Sequence, residues 1–388
     1  MSAVNQEKHV NPSKGSDSLA DQLEAILQEM AAMKNIPNAL MAVEKMDKSF
    51  AWVGATGDAQ PEGTPLHVDT PYHIASVTKL YIASTVLKLI ERNLIQLDQP
   101  MMTYLPEGVV EKLNQLTKVG FVEQITVQHL LSHSSGLPEY LEDRPKGGRG
   151  FVEGILEADH AFTLEDILDF IRDLPPHFPL QPLDAPKRKV RYCDTNFQLL
   201  IAIIEAVTGS SLHEAFATNL YQPLGLEHTH HPGERADVDE PAALWVDDQP
   251  ANIPLALRSF GDLYSTVDDQ LRFMRALMRG EVFDDPATLN LMTGQWNTFG
   301  FSLNPVRLSP GWPIEYGMGM MRFKIPRLFS PFRSVPAVVG HSGATGSWLF
   351  YCAELDVLLV GTVNQLSAGA MPFRFMPKIL QAVAGAEL

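Results

Sequence analysis

The chain is short of cysteine, of positive charge and of long apolar runs, and each shortage removes a class of protein. Its two cysteines, Cys193 and Cys352, cannot make a disulfide framework, and no Cys-x-x-Cys pair offers a zinc or thioredoxin-like site. Only 30 Lys and Arg stand against 46 Asp and Glu, a formal net charge of −16. That is the wrong sign for a protein that binds by neutralising phosphates, so nucleic acid is excluded as a partner. The longest apolar run falls well short of a bilayer span, and the first ten residues hold no apolar signal core. The expectation is a cytoplasmic protein with no membrane partner. What remains is 388 residues, 45% apolar and 20% charged, which is the make-up of a folded globular chain rather than a disordered or fibrous one.

Residues 1–16 have little to bury and read as a flexible tail whose removal should not matter. From Ser18, apolar residues at Leu19, Leu23, Ile26, Leu27 and Met30 follow helical spacing. Ala39–Val43 and Phe50–Val53 read as a hairpin, and Ile74–Ile95 as a helix with Leu80, Ile82, Val86, Leu87 and Ile90 on its buried face. The stretch 140–190, rich in Pro, Gly and charge, is expected to be a surface insertion around one helix, Thr163–Asp173, which would shape one wall of a cleft. Helices resume over Phe197–Val207 and Val267–Met278, strands over Ser347–Cys352 and Val357–Thr362, and a helix over Phe373–Val383. Strands at both ends with helices between predict an α/β (α+β) fold: one sheet domain from residues 17–73 and 335–388, and a mostly helical region over 74–334. No internal repeat is visible.

The sharpest chemical signal is Ser76-Val-Thr-Lys79 at a helix start. A lysine three residues after a serine lies one turn on, so its amine can approach the hydroxyl while the helix N-terminus favours developing negative charge. Taken alone the pattern is weak, because Ser-x-x-Lys arises about once by chance in a chain of this size. A serine N-cap followed by a solvated lysine is the competing reading.

Three further segments accompany it: Ile125-Thr-Val-Gln-His-Leu-Leu-Ser-His-Ser-Ser-Gly-Leu-Pro138, Tyr192-Cys-Asp-Thr-Asn196 and Gly340-His-Ser-Gly-Ala-Thr-Gly346. In this order and spacing the set resembles the class C β-lactamase and penicillin-binding-protein-like serine hydrolases, among them esterases, D-aminopeptidases and D-alanyl-D-alanine carboxypeptidases. The resemblance runs from about residue 19 to the end. It implies a β-lactamase/transpeptidase-like fold, an antiparallel sheet built from both termini and flanked by helices. It implies Ser76 as the acylated nucleophile, Lys79 as its partner, and Tyr192 as base with Lys79 and as acid to the leaving group. His341-Ser342-Gly343 matches the Lys-Thr-Gly strand element, so the Ala344 N–H would join that of Ser76 as the oxyanion hole. A tyrosine beside cationic groups is expected to have its phenolate favoured, and a desolvated lysine to lose its charge.

Three positions depart from the family pattern. Asp194 stands where Asn is usual and should hold Lys79 more strongly protonated, which makes Tyr192 the better base. His341 replaces a lysine that helps bind substrate carboxylates, and a histidine is mostly neutral at pH 7. Cys193 reads as a packed bystander. Asp194, His341, Ser342 and Gly343 are expected at the substrate, with Tyr140 in the acyl pocket and Trp348, like Phe350, either lining that pocket or packing the core.

Other candidates have plainer readings. Gly340-His-Ser-Gly-Ala344 nearly spells a nucleophile elbow on Ser342, but that fold needs a later histidine and His341 is the last of 12. His228-Thr-His230-His231 lacks spaced acidic or cysteine partners for a metal. His133, Ser134 and Ser135 are expected to support the site structurally. The sequence therefore predicts a serine hydrolase that needs no metal or organic cofactor and acts on small ester or amide substrates, carboxylic esters foremost. An amidase or D-aminopeptidase, a β-lactamase, an acyltransferase to another acceptor and an inactive binding module are the alternatives. Oligomeric state is left open.

Overall fold

The computed structural model describes residues 14–234, 239–300, 311, 313–325, 335–366 and 368–386. The expected tail lies outside these residues up to position 13, and the first helix, α1 (Lys14–Ala31), begins within its last part.

Alternation within short β-branched and aromatic runs builds the sheet. Its strands are β1 (Asn38–Lys45), β2 (Ala51–Gly57), β3 (Asn297–Thr298), β4 (Ile314–Tyr316), β5 (Met321–Phe323), β6 (Val338–Ser342), β7 (Trp348–Cys352) and β8 (Val357–Thr362). Among the described residues they lie in the order β2-β1-β8-β7-β6-β5-β4-β3, each pair antiparallel. Strands from both ends of the chain meet where Leu40 pairs with Thr362. The sheet also recruits β3 to β5 from the region expected to be helical. These strands are only two or three residues long, too short for a clear alternating pattern.

The two faces of the sheet carry separate cores. Met41, Val43, Trp348, Phe350 and Leu359 pack toward α1 and the C-terminal helix, while Leu40, Ala42, Leu349, Leu358 and Val360 pack toward the helical region. That region contains α2 (Thr78–Glu91), α3 (Leu164–Ile171), α4 (Asp194–Thr208) and α5 (Val267–Met278), and the chain's last helix is α6 (Met371–Gly385). The Thr163 hydroxyl caps α3 by accepting from the Asp166 N–H, and Thr266 caps α5 by accepting from the Asp269 N–H.

The 140–190 stretch holds two helices rather than one. Phe151–Glu157 precedes α3 and starts where the Glu153 carboxylate accepts from the Gly150 N–H. Its Ile155 is fully buried in the same core as Ile167 and Ile171 of α3, so this stretch is part of the fold. No single helix among the described residues is long and apolar enough to cross a membrane.

Trp348 lies against Gly361, where an added Cβ would meet the Leu40 carbonyl at 2.3 Å and the indole ring at 2.3 Å. Gly361→Ala is therefore expected to push β1 from β8 and lower stability by about 1–3 kcal/mol. A thermal midpoint equal to that of the wild type would show that the sheet yields more easily than this packing implies.

Candidate active site

Ser76 sits in a 3-10 turn, Ala75–Val77, that runs directly into α2. Ala75 just before it has φ +47°, a left-handed conformation that costs a residue with a side chain about 1 kcal/mol or more. The turn is held from three sides. The Ile74 N–H donates to the Leu263 carbonyl, the Ser347 hydroxyl donates to the Ile74 carbonyl at 2.8 Å, and the Thr345 hydroxyl donates to the His73 carbonyl at 3.2 Å. The β6–β7 connection is thus tied to the segment before Ser76, which brings Gly343 and Ala344 beside it. Gly343 has no room for a side chain: a Cβ there would stand 2.3 Å from Ser347 Oγ and 2.8 Å from both Ala75 Cβ and the Ile74 carbonyl.

One turn along α2, Lys79 Nζ donates to Ser76 Oγ at 3.1 Å and to Asp194 Oδ1 at 2.5 Å. Only 4% of Lys79 is exposed, and its ammonium also lies 5.1 Å from the Tyr192 ring centre and 5.2 Å from that of Phe197. Burial pushes this ammonium down, but the charges of Asp194 and Asp262 outweigh it and hold the group above the ordinary lysine value. Asp194 opens α4, where a carboxylate is favoured by the helix N-terminus. Its backbone N–H donates to the carboxylate of Glu139, which is fully buried and also accepts from the Leu141 N–H. Burial and the Asp194 charge push the Glu139 carboxyl well above its usual range.

Tyr192 is packed between His133, with ring centres 4.4 Å apart, Tyr316 and His341. Its buried hydroxyl faces Ser76 without closing a hydrogen bond. Burial and Asp194 raise the phenol well above 10, and the nearby Ser76 hydroxyl offsets only part of this. The expected phenolate and uncharged lysine are therefore disfavoured in the free site: burial and Asp194 keep the proton on Tyr192, and Asp194 and Asp262 keep it on Lys79.

The His-Ser-Ser element supports this segment from behind. His133 Nδ1 accepts from the Cys193 N–H at 3.2 Å, and Ser135 Oγ donates to Asn196 Oδ1 at 2.7 Å. Cys193 is 2% exposed, and burial pushes its thiol well up, which removes it as a nucleophile.

Ser76, Lys79, Tyr192 and Asp194 open on one cavity of about 500 Å³, together with Tyr140, Ser342, Gly343 and Ala344. Two sequence-predicted substrate contacts are absent from its wall. His341 is fully buried on the opposite face of β6 from Ser342, with Nε2 3.1 Å from the Tyr316 hydroxyl and Nδ1 2.7 Å from the Ser342 carbonyl. Burial pushes its imidazole down to about 3, so it is neutral. Trp348, which pairs with Ser342 across the ladder, is 1% exposed and belongs to the core beneath α1 and α6. Ser342 has no base beside it; its hydroxyl reaches the Met321 sulfur at 3.7 Å. His230 and His231 are buried, and among the described residues no group of His, Cys, Asp and Glu could hold a metal ion.

The structure adds residues that no motif announced. Asp262 and His73 line the same cavity, and Glu139 stands behind Asp194. They lie in loops or two-residue strands, where only the tertiary fold decides what they face.

An antiparallel sheet with a helical region against one face, and a serine, a lysine and a tyrosine at the junction, define a β-lactamase-fold serine hydrolase scaffold. The chain belongs to the Beta-lactamase family, whose pattern matches residues 23–380. Esterase EstB of Burkholderia gladioli is 30% identical over 213 residues, 54% of this chain and 50% of that one. Unguisins hydrolase ungD of Aspergillus violaceofuscus is 25% identical over 291 residues, 70% of this chain and 47% of that one. The chain thus spans about half the length of these two relatives. Among solved structures, a D-stereospecific amidohydrolase from Streptomyces sp. superposes with a TM-score of 0.67 at 25% identity, covering 96% of this chain and 98% of that one.

If the clasp around Gly343 sets the position of Ser76, Gly343→Ala should slow labelling of Ser76 by a serine-directed phosphonate about 100-fold with unchanged circular dichroism. Labelling at the wild-type rate would separate the clasp from the reactivity of the serine.

Proposed function

We propose that this protein is a serine acyl-hydrolase that forms an acyl-enzyme on Ser76 and acts on small carboxylic esters. The observation that carries the reading is the buried Lys79 ammonium, bonded at once to the Ser76 hydroxyl and to Asp194 at the mouth of a largely apolar cavity. Ser76 Oγ attacks the carbonyl carbon, and its proton passes to Tyr192 or Lys79, whichever of the two has first released its own to solvent. The tetrahedral oxyanion is held by the N–H groups of Ser76 and Ala344, and collapse returns the proton to the departing alcohol. Water then repeats the sequence on the acyl-enzyme.

The preference for esters rests on charge. Among the described residues the cavity wall has one Lys or Arg, Lys79, already paired with Asp194, and His341 lies off the wall and neutral. A β-lactam or peptide carboxylate has no free cation to meet there, while an uncharged ester needs none. The likeness to Esterase EstB agrees with this reading. Amide hydrolysis is the second reading, favoured by the likeness to the D-stereospecific amidohydrolase. A soluble intracellular setting, in which peptidoglycan is out of reach, fits both.

Incubation with a short p-nitrophenyl ester should give turnover and a transient acyl adduct by intact mass in the wild type and in Ser342→Ala, and neither in Ser76→Ala. Loss of turnover in Ser342→Ala alone would move the nucleophile.

The protonation of the free site sets a second expectation. Lys79 and Tyr192 both hold their protons above their ordinary values, and one must give its proton up before Ser76 can be deprotonated. kcat/KM should therefore climb with pH through the alkaline range. Asp194→Asn removes the carboxylate that keeps the lysine charged, and should shift that climb to lower pH. A flat profile from about pH 6 to 10 would rule out this proton assignment.

A further inference from the structure

Asp262 lies in the link between the helix Pro254–Phe260 and the short strand Tyr264–Ser265. Its neighbours fix it in place: the Leu263 carbonyl accepts from the Ile74 N–H, and the Leu263 N–H donates to Thr78 Oγ1 at 3.1 Å. The link is thereby clamped to the two sides of Ser76. His73 comes from the facing strand, Tyr72–His73, in register with Tyr264, and its ring stands edge-on to Tyr264 at 5.6 Å.

Both side chains form part of the catalytic cavity wall: Asp262 is 22% exposed to the cavity, and His73 is buried without a partner. No N–H or O–H among the described residues donates to the Asp262 carboxylate. His73 Nε2 stands 3.9 Å from it, beyond hydrogen-bond range. His73 is 2% exposed, and both of its ring nitrogens are without a partner. Around them the wall is apolar, with Ile82, Ile201, Leu257 and Phe260. Among the described residues the one Lys or Arg on that wall, Lys79, is committed to Asp194 at 2.5 Å. A carboxylate half-buried on an apolar wall, with only solvent to meet it, is open to a cation.

We infer that the cavity accepts acyl donors carrying a primary ammonium group, held by the Asp262 carboxylate and the His73 imidazole. This deepens the acyl-hydrolase reading and rests on it. An ammonium presents three donors, which a carboxylate and a neutral imidazole can accept together; a guanidinium presents five in a plane and would leave donors unmet on this wall. Burial keeps His73 neutral, at about 4, so it offers a lone pair. Burial, opposed by Lys79, pushes the Asp262 carboxyl up to about 7, the state of an acid that lacks its counter-ion. The apolar lining then takes the rest of the acyl group.

Two measurements test this. The first is calorimetric binding of 2-phenylethylammonium and of 2-phenylethanol, its uncharged analogue, to wild type, Asp262→Asn and Asp262→Glu. The ammonium should bind wild type about 10-fold to 100-fold more tightly than the alcohol, and this discrimination should vanish in Asp262→Asn and return in part in Asp262→Glu. Equal affinities in wild type, or discrimination that persists in Asp262→Asn, overturn the inference. The wild-type comparison needs no variant to fold.

The second is the ratio of kcat/KM for phenylalanine ethyl ester, each enantiomer, to that for ethyl 3-phenylpropanoate. It should exceed about 10 for one enantiomer in wild type and fall toward 1 in Asp262→Asn. Turnover of the uncharged ester through Ser76 with no preference for the amino ester would overturn the ammonium site and leave the hydrolase reading intact. Discrimination in binding with no turnover of any ester would do the reverse.

Discussion

One buried ammonium organises this site. Lys79 is almost wholly out of water, and removing a cation from water is costly unless charge and hydrogen bonds replace its hydration. The replacement comes from several elements at once: Asp194 at the first turn of α4, Asp262 on the link before the 264–265 strand, and the ring faces of Tyr192 and Phe197. Each would sit elsewhere if the helices packed differently, so the position of the lysine and the packing of α2 against α4 are one constraint. Ser76 takes its place within that constraint, one turn earlier on the same helix.

The same charge pattern explains how the resting site differs from one built around a free base. Two carboxylates, Asp194 and Asp262, act on one ammonium, and a third, Glu139, stands behind Asp194. The charges keep the proton on Lys79, while burial first and these charges second keep it on Tyr192 and raise the Glu139 and Asp262 carboxyls. Selectivity and reactivity share a cause here, since the excess negative charge that holds the proton on Lys79 also sets which substrate charges the cavity tolerates.

Much of this was legible in the sequence, and the failures have specific physical origins. Ser76, Lys79, Tyr192 and Asp194 meet as their motifs imply because each lies at a helix start or just before one, where local pattern and position go together. Helix caps at Thr163 and Thr266 were readable for the same reason. Alternation along β6 and β7 says that His341 and Ser342 point to opposite faces, but not which face looks onto the cavity. Both faces of this sheet are buried, so hydrophobicity gives no direction: it leaves Trp348 between pocket and core, and it does not show that His341 faces away from the cavity. The second helix of the 140–190 stretch was hidden by its seven-residue length. Asp262 and Glu139 carry no local signal at all; what makes them part of the site is a contact from a remote stretch of chain.

The clasp between the β6–β7 connection and the segment before Ser76 joins residues some 270 positions apart, Thr345 to His73 and Ser347 to Ile74. A chain leaving the ribosome presents its serine and lysine long before the strands that frame them exist. Until about residue 347 has emerged and docked, the turn before Ser76 lacks two of the three hydrogen bonds that hold it, those from Thr345 and Ser347. The geometry around Ser76 is completed with one of the last strands to be made, so the site is assembled late in the chain's synthesis.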